Sequence, residues 1–307
     1  MRSKTGAFAA IACSVQFCLW LGSSLAQPPG TPLPAGIRGG SELVPEARVE
    51  IRTYRFDETG EELPYSVFVS SKIEPRAKAP LIIALRGYTG TTLTFVRGTT
   101  VDLAEEGGYI LVGPIGYNNR AGFGVQARPR PVPAVTVGST PRGGAQTADA
   151  RLAPPMVGGT AETDPALVTE YSEKDVMNVL AMVRAEFPVD DRRIYLMGHS
   201  QGGGGARHLA EKYPDIWAAV ALLAPALFGV EPDADSKILS LPVLISVGDQ
   251  DSLMTSARTF SEQLKALNAT VEYREFAGLD HGTIILGSQP EVFAFFARHV
   301  KHASVKR

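Results

Sequence analysis

Short apolar runs alternate with amphipathic stretches along most of this chain. The apolar runs have the length and composition of buried strands, and strands are predicted at residues 49–56, 63–71, 80–85, 109–112, 192–197, 217–223, 241–247 and 271–276. Helices are predicted at residues 95–106, 172–187 and 203–212. The second helix has Ser172 as its predicted N-cap and one apolar face, formed by Val176, Leu180, Val183 and Phe187. Strands that alternate with helices imply an α/β fold, with a mostly parallel central sheet and helices on both faces.

One predicted strand runs directly into a Gly-x-Ser-x-Gly motif. Residues 198–202 read Gly-His-Ser-Gln-Gly, and a helix-compatible stretch follows them. This strand–turn–helix context is typical of a nucleophile elbow, whose tight turn admits only glycine at the flanking positions and presents the serine hydroxyl above the sheet. The bare motif arises easily by chance, but the flanking strand and helix make it specific. Ser200 is therefore the predicted nucleophile.

A carboxylate and a histidine follow in loops after later strands. Residues 248–251 read Gly-Asp-Gln-Asp, and residues 280–282 read Asp-His-Gly. The chain order serine, aspartate, histidine is that of α/β-hydrolases and differs from the chymotrypsin and subtilisin orders. The three loops are expected to converge because they leave the carboxyl edge of one sheet. There the imidazole would take the serine proton, and the carboxylate would hold the imidazole in the right tautomer.

Several residues compete for these two partner roles. Of the five histidines, His281 alone lies in a glycine-flanked loop after a late strand, and it is the predicted base. The remaining histidines lie in the elbow, in the next helix, or in the C-terminal helix and tail: His199, His208, His299 and His302. Asp249 and Asp251 are both candidates for the acid. Asp280 adjoins the histidine in sequence, which makes it a poor partner for that ring.

Acyl transfer also needs two backbone N–H groups aimed at the developing oxyanion. One is expected from Gln201, the residue after the nucleophile. The other is expected from the loop after the strand at 80–85, where residues 86–90 read Arg-Gly-Tyr-Thr-Gly and Tyr88 is the predicted donor. An ordinary glycine turn is the alternative interpretation of this loop.

The motifs resemble those of bacterial secreted carboxylesterases of the α/β-hydrolase superfamily. The run from Tyr171 to Gly205 is similar to feruloyl-esterase-like and polyhydroxybutyrate-depolymerase-like proteins, and to the catalytic domain of prolyl-oligopeptidase-type peptidases. The resemblance covers roughly residues 49–300 and implies an α/β-hydrolase fold and ester hydrolysis through an acyl-enzyme. The second aspartate of the Gly-Asp-x-Asp pattern is the triad acid in these families, which implies Asp251. They usually carry a histidine where this chain has Arg86.

The first residues have the pattern of a secretory signal peptide. A basic start precedes an apolar run at 6–21, and a Ser-Leu-Ala cleavage site ends at Ala26. We therefore expect a signal peptide at 1–26, a Pro- and Gly-rich leader at 27–48 and a catalytic domain at 49–307. The mature chain would be secreted or periplasmic. A lipoprotein site at Cys13 is the less favoured alternative.

Composition and charge argue against several classes of partner. The formal net charge of the sequence is −2, and no basic run or basic amphipathic helix indicates nucleic acid or a membrane surface. Both cysteines, Cys13 and Cys18, fall within the predicted signal peptide, so neither disulfides nor cysteine metal ligands are expected afterwards. Serine-based acyl transfer needs no metal and no organic cofactor. The expected partner is a small-molecule or polymer-linked ester, and the sequence indicates no particular oligomeric state.

The segment at about 118–165 departs from the alternating pattern. It is rich in Pro, Gly, Ala and Thr, and its arginines are Arg120, Arg128, Arg130, Arg142 and Arg151. A segment of this length without regular elements is uncommon inside a compact domain and is either functional or disordered. It follows a strand at the edge where the predicted triad converges. We interpret it as an insertion that either borders the acyl pocket, where its arginines would favour anionic esters, or is a passive solvated loop.

Two other functions are compatible with these motifs. A peptidase of the prolyl-oligopeptidase type would share the triad, but such enzymes usually carry a large N-terminal propeller, and the residues before Ser200 are needed for the early sheet. A non-catalytic binding protein on the same fold typically lacks one member of the triad, whereas this chain has candidates for all three. A secreted serine carboxylesterase is the preferred prediction, although a fold alone does not fix a function.

Overall fold

The computed structural model of the chain describes residues 45–126, 155–227 and 229–301. The predicted signal peptide, most of the predicted leader and the middle of the predicted insertion lie outside these ranges, and their boundaries stay predictions. Within the described ranges, no helix is long and apolar enough to cross a membrane.

An eight-stranded sheet forms the centre of the described residues. Its strands in chain order are β1 Glu50–Arg55, β2 Glu62–Val69, β3 Ala79–Leu85, β4 Ile110–Pro114, β5 Val189–His199, β6 Ala219–Leu223, β7 Val243–Gly248 and β8 Val271–Phe276. Their order in space is β1-β2-β4-β3-β5-β6-β7-β8. The pairs β1–β2 and β2–β4 are antiparallel, and every other pair is parallel. This confirms the predicted α/β class with a mostly parallel sheet.

Successive side chains of the central strands enter two different apolar cores. In β3, Leu81 and Ile83 belong to one core, and Ile82 and Ala84 belong to the other. This alternation is the two-residue period of a strand that is buried on both faces. The helices cover the sheet from both sides: α2 Pro165–Glu186, α3 Gln201–Lys212 and α4 Met254–Ala266 contribute to the first core, and α1 Gly98–Gly107 and α6 Gln289–Ala297 to the second, with the short α5 Ile284–Gly287 before α6.

The helix α2 begins seven residues before the position that the sequence analysis assigned to it. Its N-cap is Asp164, whose carboxylate accepts from the N–H of Ala166 at 2.7 Å, and Pro165 occupies the first turn. The prediction of Ser172 as the cap is wrong, because an aspartate followed by proline is a strong helix start. Ser172 lies inside the helix, where its hydroxyl donates to the carbonyl of Thr169 at 2.7 Å.

Replacing the cap should weaken the protein measurably. We expect Asp164→Ala to lower the free energy of unfolding by about 1 kcal/mol, because two helix N–H groups lose their acceptor. Urea unfolding monitored by circular dichroism measures this loss. Thr163→Ala is the matched control, since in the described structure the Thr163 hydroxyl makes no hydrogen bond. Equal stability of the two variants would contradict the assignment of the cap.

Candidate active site

The three residues predicted from the motifs meet at the carboxyl edge of the sheet. Ser200 follows β5, Asp251 follows β7 and His281 follows β8. The Nε2 atom of His281 lies 2.9 Å from Oγ of Ser200, and its Nδ1 atom lies 2.7 Å from Oδ2 of Asp251. The structure therefore joins the three side chains in one hydrogen-bonded series with the imidazole in the middle.

The serine sits in a strained turn between β5 and α3. Ser200 has φ 54° and ψ −116°, in the left-handed half of the backbone map that residues other than glycine rarely enter. Its N–H donates to the carbonyl of Leu223 at 2.9 Å, and its own carbonyl accepts from the N–H of Ala226 at 2.8 Å. Strain of this kind persists where surrounding bonds fix the backbone, as β6 and the loop after it do here.

Both motif glycines are required by close backbone contacts. A Cβ atom on Gly198 would lie 2.1 Å from the carbonyl oxygen of Gly202. A Cβ atom on Gly202 would lie 2.3 Å from the carbonyl oxygens of Leu85 and Arg86, at the end of β3. No side chain fits at either position, so the spacing of the motif follows from the turn itself.

Of the two candidate acids, only Asp251 reaches the histidine. Its side chain is fully buried, and its second oxygen accepts from the N–H of Leu253 at 2.8 Å. Asp249 is exposed and accepts from the N–H of Gly278 at 2.9 Å. Asp280 accepts from the N–H groups of Gly282 and Thr283 and so orders the histidine loop without touching the ring.

His199 has a contact that the sequence analysis did not predict. Its Nε2 atom lies 2.6 Å from the carbonyl oxygen of His281, and the two rings are 4.6 Å apart between centroids. Burial, and then the neighbouring His281, lower the pKa of His199 to about 4. The neutral ring donates through Nε2–H, because a carbonyl can only accept. His199 thus ties the elbow to the loop that carries the predicted base.

The two predicted oxyanion donors belong to the elbow and to the loop after β3. The N–H groups of Tyr88 and Gln201 donate to no acceptor within the described residues. Gly87, which precedes Tyr88, lies so close to the elbow that an added Cβ atom would be 3.5 Å from Cβ of Ser200. Two unengaged N–H groups beside the serine are what an oxyanion hole requires, and their role stays a prediction.

Both ends of the predicted insertion, 118–126 and 155–165, belong to the described structure. Asn118 forms an isolated bridge with Gly158, which brings the two ends together. The carbonyl of Asn119 accepts from the N–H of Thr89 at 2.7 Å, and the carbonyl of Arg120 accepts from the side-chain amide of Gln201 at 3.0 Å. The first residues of this segment therefore contact the loop and the elbow that carry the predicted oxyanion donors.

Within residues 45–126, 155–227 and 229–301, no three His, Cys, Asp or Glu side chains are grouped so that they could hold a metal ion.

A family model described as the alpha/beta hydrolase fold matches residues 157–243, which include the elbow. Together with the sheet order and the position of Ser200 after β5, this match identifies the class. The chain has the α/β-hydrolase fold.

Curated relatives match over part of their length. "Cutinase 2" of Thermobifida cellulosilytica is 33% identical over 96 residues, which are 30% of this chain and 34% of that protein. "Feruloyl esterase B" of Neurospora crassa is 26% identical over 148 residues, which are 47% of this chain and 38% of that protein. The chain thus spans about a third of the length of these curated relatives.

Solved structures match over most of the chain. The S-formylglutathione hydrolase from Agrobacterium tumefaciens has a TM-score of 0.59 at 19% identity, covering 82% of this chain and 95% of that one. The ferulic acid esterase from Anaeromyces mucronatus has a TM-score of 0.56 at 18% identity, covering 86% of this chain and 96% of that one. At these identities the likeness shows the fold alone.

The buried neutral histidine should make stability depend on pH. The unfolded chain binds a proton at His199 below its ordinary pKa of 6.5, whereas the folded chain does so only near 4. Stability from this group is therefore present above pH 6.5 and is lost as the pH falls toward 4. His199→Asn keeps a donor and removes the titration. Between pH 7 and 4, the wild type should lose on the order of 3 kcal/mol more of its unfolding free energy than the variant.

Denaturant unfolding at several pH values measures this difference. Other titrating groups, such as the buried Asp175, are common to both chains and cancel in the comparison. Parallel curves of stability against pH for the two proteins would show that His199 does not remain neutral in the fold.

Proposed function

We propose that this protein is a serine hydrolase of carboxylic esters that works through an acyl-enzyme intermediate. The observation that carries the proposal is the hydrogen-bonded series Ser200–His281–Asp251 on a strained elbow. The partial sequence matches to a cutinase and to a feruloyl esterase favour an ester over other acyl substrates.

In the acylation step, Oγ of Ser200 attacks the ester carbonyl while Nε2 of His281 takes the hydroxyl proton. The buried carboxylate of Asp251 stabilises the imidazolium that forms and holds Nδ1 protonated in the ground state. The carbonyl oxygen becomes an oxyanion, toward which the N–H groups of Tyr88 and Gln201 would donate. When the carbon–oxygen bond to the alcohol breaks, His281 returns the proton to the leaving alkoxide, and the acyl group stays on the serine.

Deacylation repeats the sequence with water as the nucleophile. The neutral His281 takes a proton from water as the water oxygen attacks the acyl carbonyl. A second oxyanion forms and collapses, the bond to Oγ breaks, and His281 protonates Ser200. The acid product leaves, and the resting hydrogen-bonded series is restored.

The openness of the site favours large or polymer-linked esters. The side chain of His281 is 44% exposed, and Tyr88, beside the predicted oxyanion hole, is 61% exposed. Within residues 45–126, 155–227 and 229–301, an ester on a bulky carrier can therefore approach the serine without first entering a closed cavity. We propose such esters as the substrate class, and export as the route by which the enzyme meets them, on the signal-peptide pattern at 1–26.

The nucleophile can be tested by active-site labelling. Ser200→Ala should fold normally, lose nearly all ester turnover and take no label from a fluorophosphonate probe, because the phosphorus atom bonds to the serine oxygen. Ser256→Ala is the control: this serine is exposed on α4, where it bonds only the carbonyl of Leu253. It should label like the wild type. A labelled Ser200→Ala chain would remove the basis of the proposal.

The acid can be tested by a pair of isosteric substitutions two residues apart. Asp251→Asn should lower kcat by about 10⁴-fold, the loss measured for the same change in the Ser-His-Asp template. Asp249→Asn should have a small effect, because that exposed carboxylate bonds only a backbone N–H. Steady-state kinetics on one p-nitrophenyl ester would measure both. A larger loss for Asp249→Asn would reverse the assignment.

The substrate class can be tested with two matched panels. We expect turnover of p-nitrophenyl esters and little turnover of peptide anilides, since the nitrogen leaving group of an anilide is harder to expel than p-nitrophenolate. Preference for the anilides would favour a serine peptidase instead. Absence of turnover and of fluorophosphonate labelling together would favour a non-catalytic binding protein on this fold.

A further inference from the structure

A buried arginine lies behind the predicted oxyanion hole. Arg86 directly follows β3 and is 1% exposed. Its guanidinium donates to the carbonyls of Ile115 at 2.9 Å, Gly87 at 3.1 Å, Ala121 at 2.9 Å and Asn118, and to Oε1 of Gln201 at 3.2 Å. One planar group thus joins the loop at 86–90, hereafter the oxyanion loop, to the elbow and to the loop after β4.

Burying this charge is costly, so its retention calls for an explanation. Arg86 makes no ion pair among the described residues, and burial lowers the pKa of its guanidinium, with Asp175 opposing that shift. The ring of Phe123 lies 4.7 Å from the guanidinium carbon, which gives a favourable cation–π contact. A buried charge without a direct counter-ion normally destabilises a fold. The five acceptors replace the hydrogen bonds to water that the guanidinium loses on burial. An apolar side chain would fill the same space at a lower cost in free energy.

The Gly87–Tyr88 peptide shows what the arginine does. The carbonyl oxygen of Gly87 accepts both from Nη1 of Arg86 at 3.1 Å and from the N–H of Gly90 at 3.0 Å. In a trans peptide the N–H points opposite to the carbonyl. Fixing this carbonyl therefore fixes the direction of the Tyr88 N–H, which has no acceptor in the described structure. Glycine at 87 would otherwise let the peptide rotate with little steric resistance.

The same guanidinium also restrains the second donor. Nη1 of Arg86 bonds Oε1 of Gln201, and the Gln201 amide nitrogen bonds the carbonyl of Arg120 at 3.0 Å. The Gln201 side chain is thereby held between the arginine and the loop after β4. In that loop, the carbonyl of Asn119 accepts from the N–H of Thr89. Arg86 therefore bonds both the peptide that carries the Tyr88 N–H and the side chain of Gln201, whose backbone N–H is the second predicted donor.

We propose that Arg86 is a positioning residue that keeps the Gly87–Tyr88 peptide turned so that the Tyr88 N–H faces the oxyanion. This inference rests on the proposed esterase function. The arginine does not touch the substrate and acts through the peptide that it holds. Its fork of donors matters as much as its charge, because a lysine has three donors on one nitrogen and cannot replace the guanidinium's bonds to five acceptors.

Two substitutions of Arg86 test whether its fork of donors is needed. Arg86→Lys keeps the charge, and Arg86→Met keeps most of the volume. We expect kcat for a p-nitrophenyl ester to fall by about 10- to 100-fold in both, since one full oxyanion donor is worth 10²- to 10³-fold, with KM changed less than about 3-fold. The affinity for a trifluoromethyl ketone, whose hemiketal oxyanion occupies the hole, should fall in parallel with kcat/KM.

The matched control disturbs another buried charge, that of Glu173. Glu173 bonds His208, Lys212 and Tyr213 between α2 and α3, and it does not contact the oxyanion loop. Glu173→Gln should lower thermal stability while leaving kcat and the ketone affinity within about 3-fold of the wild type, because none of its hydrogen bonds reaches the triad or the loop that carries Tyr88. A similar loss of kcat in this control would assign the Arg86 effect to general destabilisation.

Isotope-selective NMR observes the Gly87–Tyr88 peptide directly. Glycine precedes tyrosine at three places in the sequence, giving the pairs Gly87–Tyr88, Gly108–Tyr109 and Gly116–Tyr117. Protein with ¹³C-carbonyl glycine and ¹⁵N-tyrosine shows only these amides in an HNCO spectrum, and Tyr88→Phe assigns one of them. Adding the trifluoromethyl ketone should move the Tyr88 amide proton downfield in the wild type. The shift should be lost in Arg86→Lys, and the other two pairs serve as internal references.

The outcomes are distinct. A wild type that neither turns over esters nor labels with fluorophosphonate would refute the proposed function. An active wild type whose Arg86 variants keep kcat, ketone affinity and the Tyr88 shift would refute only this inference. Failure of both variants to fold would assign the guanidinium to fold stability alone and would also overturn it.

Discussion

The strained turn at Ser200 is the constraint on which the rest of the site depends. A serine at positive φ costs on the order of 1–3 kcal/mol, and that cost persists only where neighbouring structure fixes the backbone. Here the end of β6 bonds the serine N–H, and the loop after β6 bonds the serine carbonyl. Two glycines without room for a side chain allow β3 and α3 to close around it. The turn projects the Ser200 hydroxyl beyond the edge of the sheet, where Nε2 of His281 lies 2.9 Å from it.

Buried polar groups then hold the loops around that turn. His199 bonds the carbonyl of His281, Asp251 bonds the ring of the same residue, and Arg86 bonds the loops on the opposite side. Each of these groups would be costly if left without partners, and each makes at least one hydrogen bond that also fixes a loop. Buried polar side chains therefore lie at the carboxyl edge of the sheet, whereas both faces of the sheet are packed with apolar side chains.

Sequence reasoning succeeded where a local pattern carries the information. The strand at 271–276 was predicted with the bounds that β8 has, and the Gly-x-Ser-x-Gly motif and the chain order brought Ser200, Asp251 and His281 to one edge. The helix α4 was missed although Ala257, Phe260 and Leu264 form an apolar stripe at helical spacing, so that signal was present.

Other features had no local signal. The His199–His281 contact joins residues 82 positions apart, and the Arg86–Gln201 contact joins residues 115 positions apart. Such contacts depend on how strands are ordered in the sheet, which composition and periodicity do not specify. The start of α2 did have a local signal, the Asp164–Pro165 pair, which the sequence analysis missed when it placed the cap at Ser172.

The central claim is that the Ser200 hydroxyl carries the acyl group between two half-reactions. Rapid acid quench of the enzyme during turnover of a slowly hydrolysed p-nitrophenyl ester, followed by intact-mass and peptide mass spectrometry, tests it most directly. The account predicts a mass increase equal to one acyl group, located on the peptide that contains Ser200 and lost on further incubation. Steady turnover with no acylated species, or with the acyl group on another residue, would contradict it.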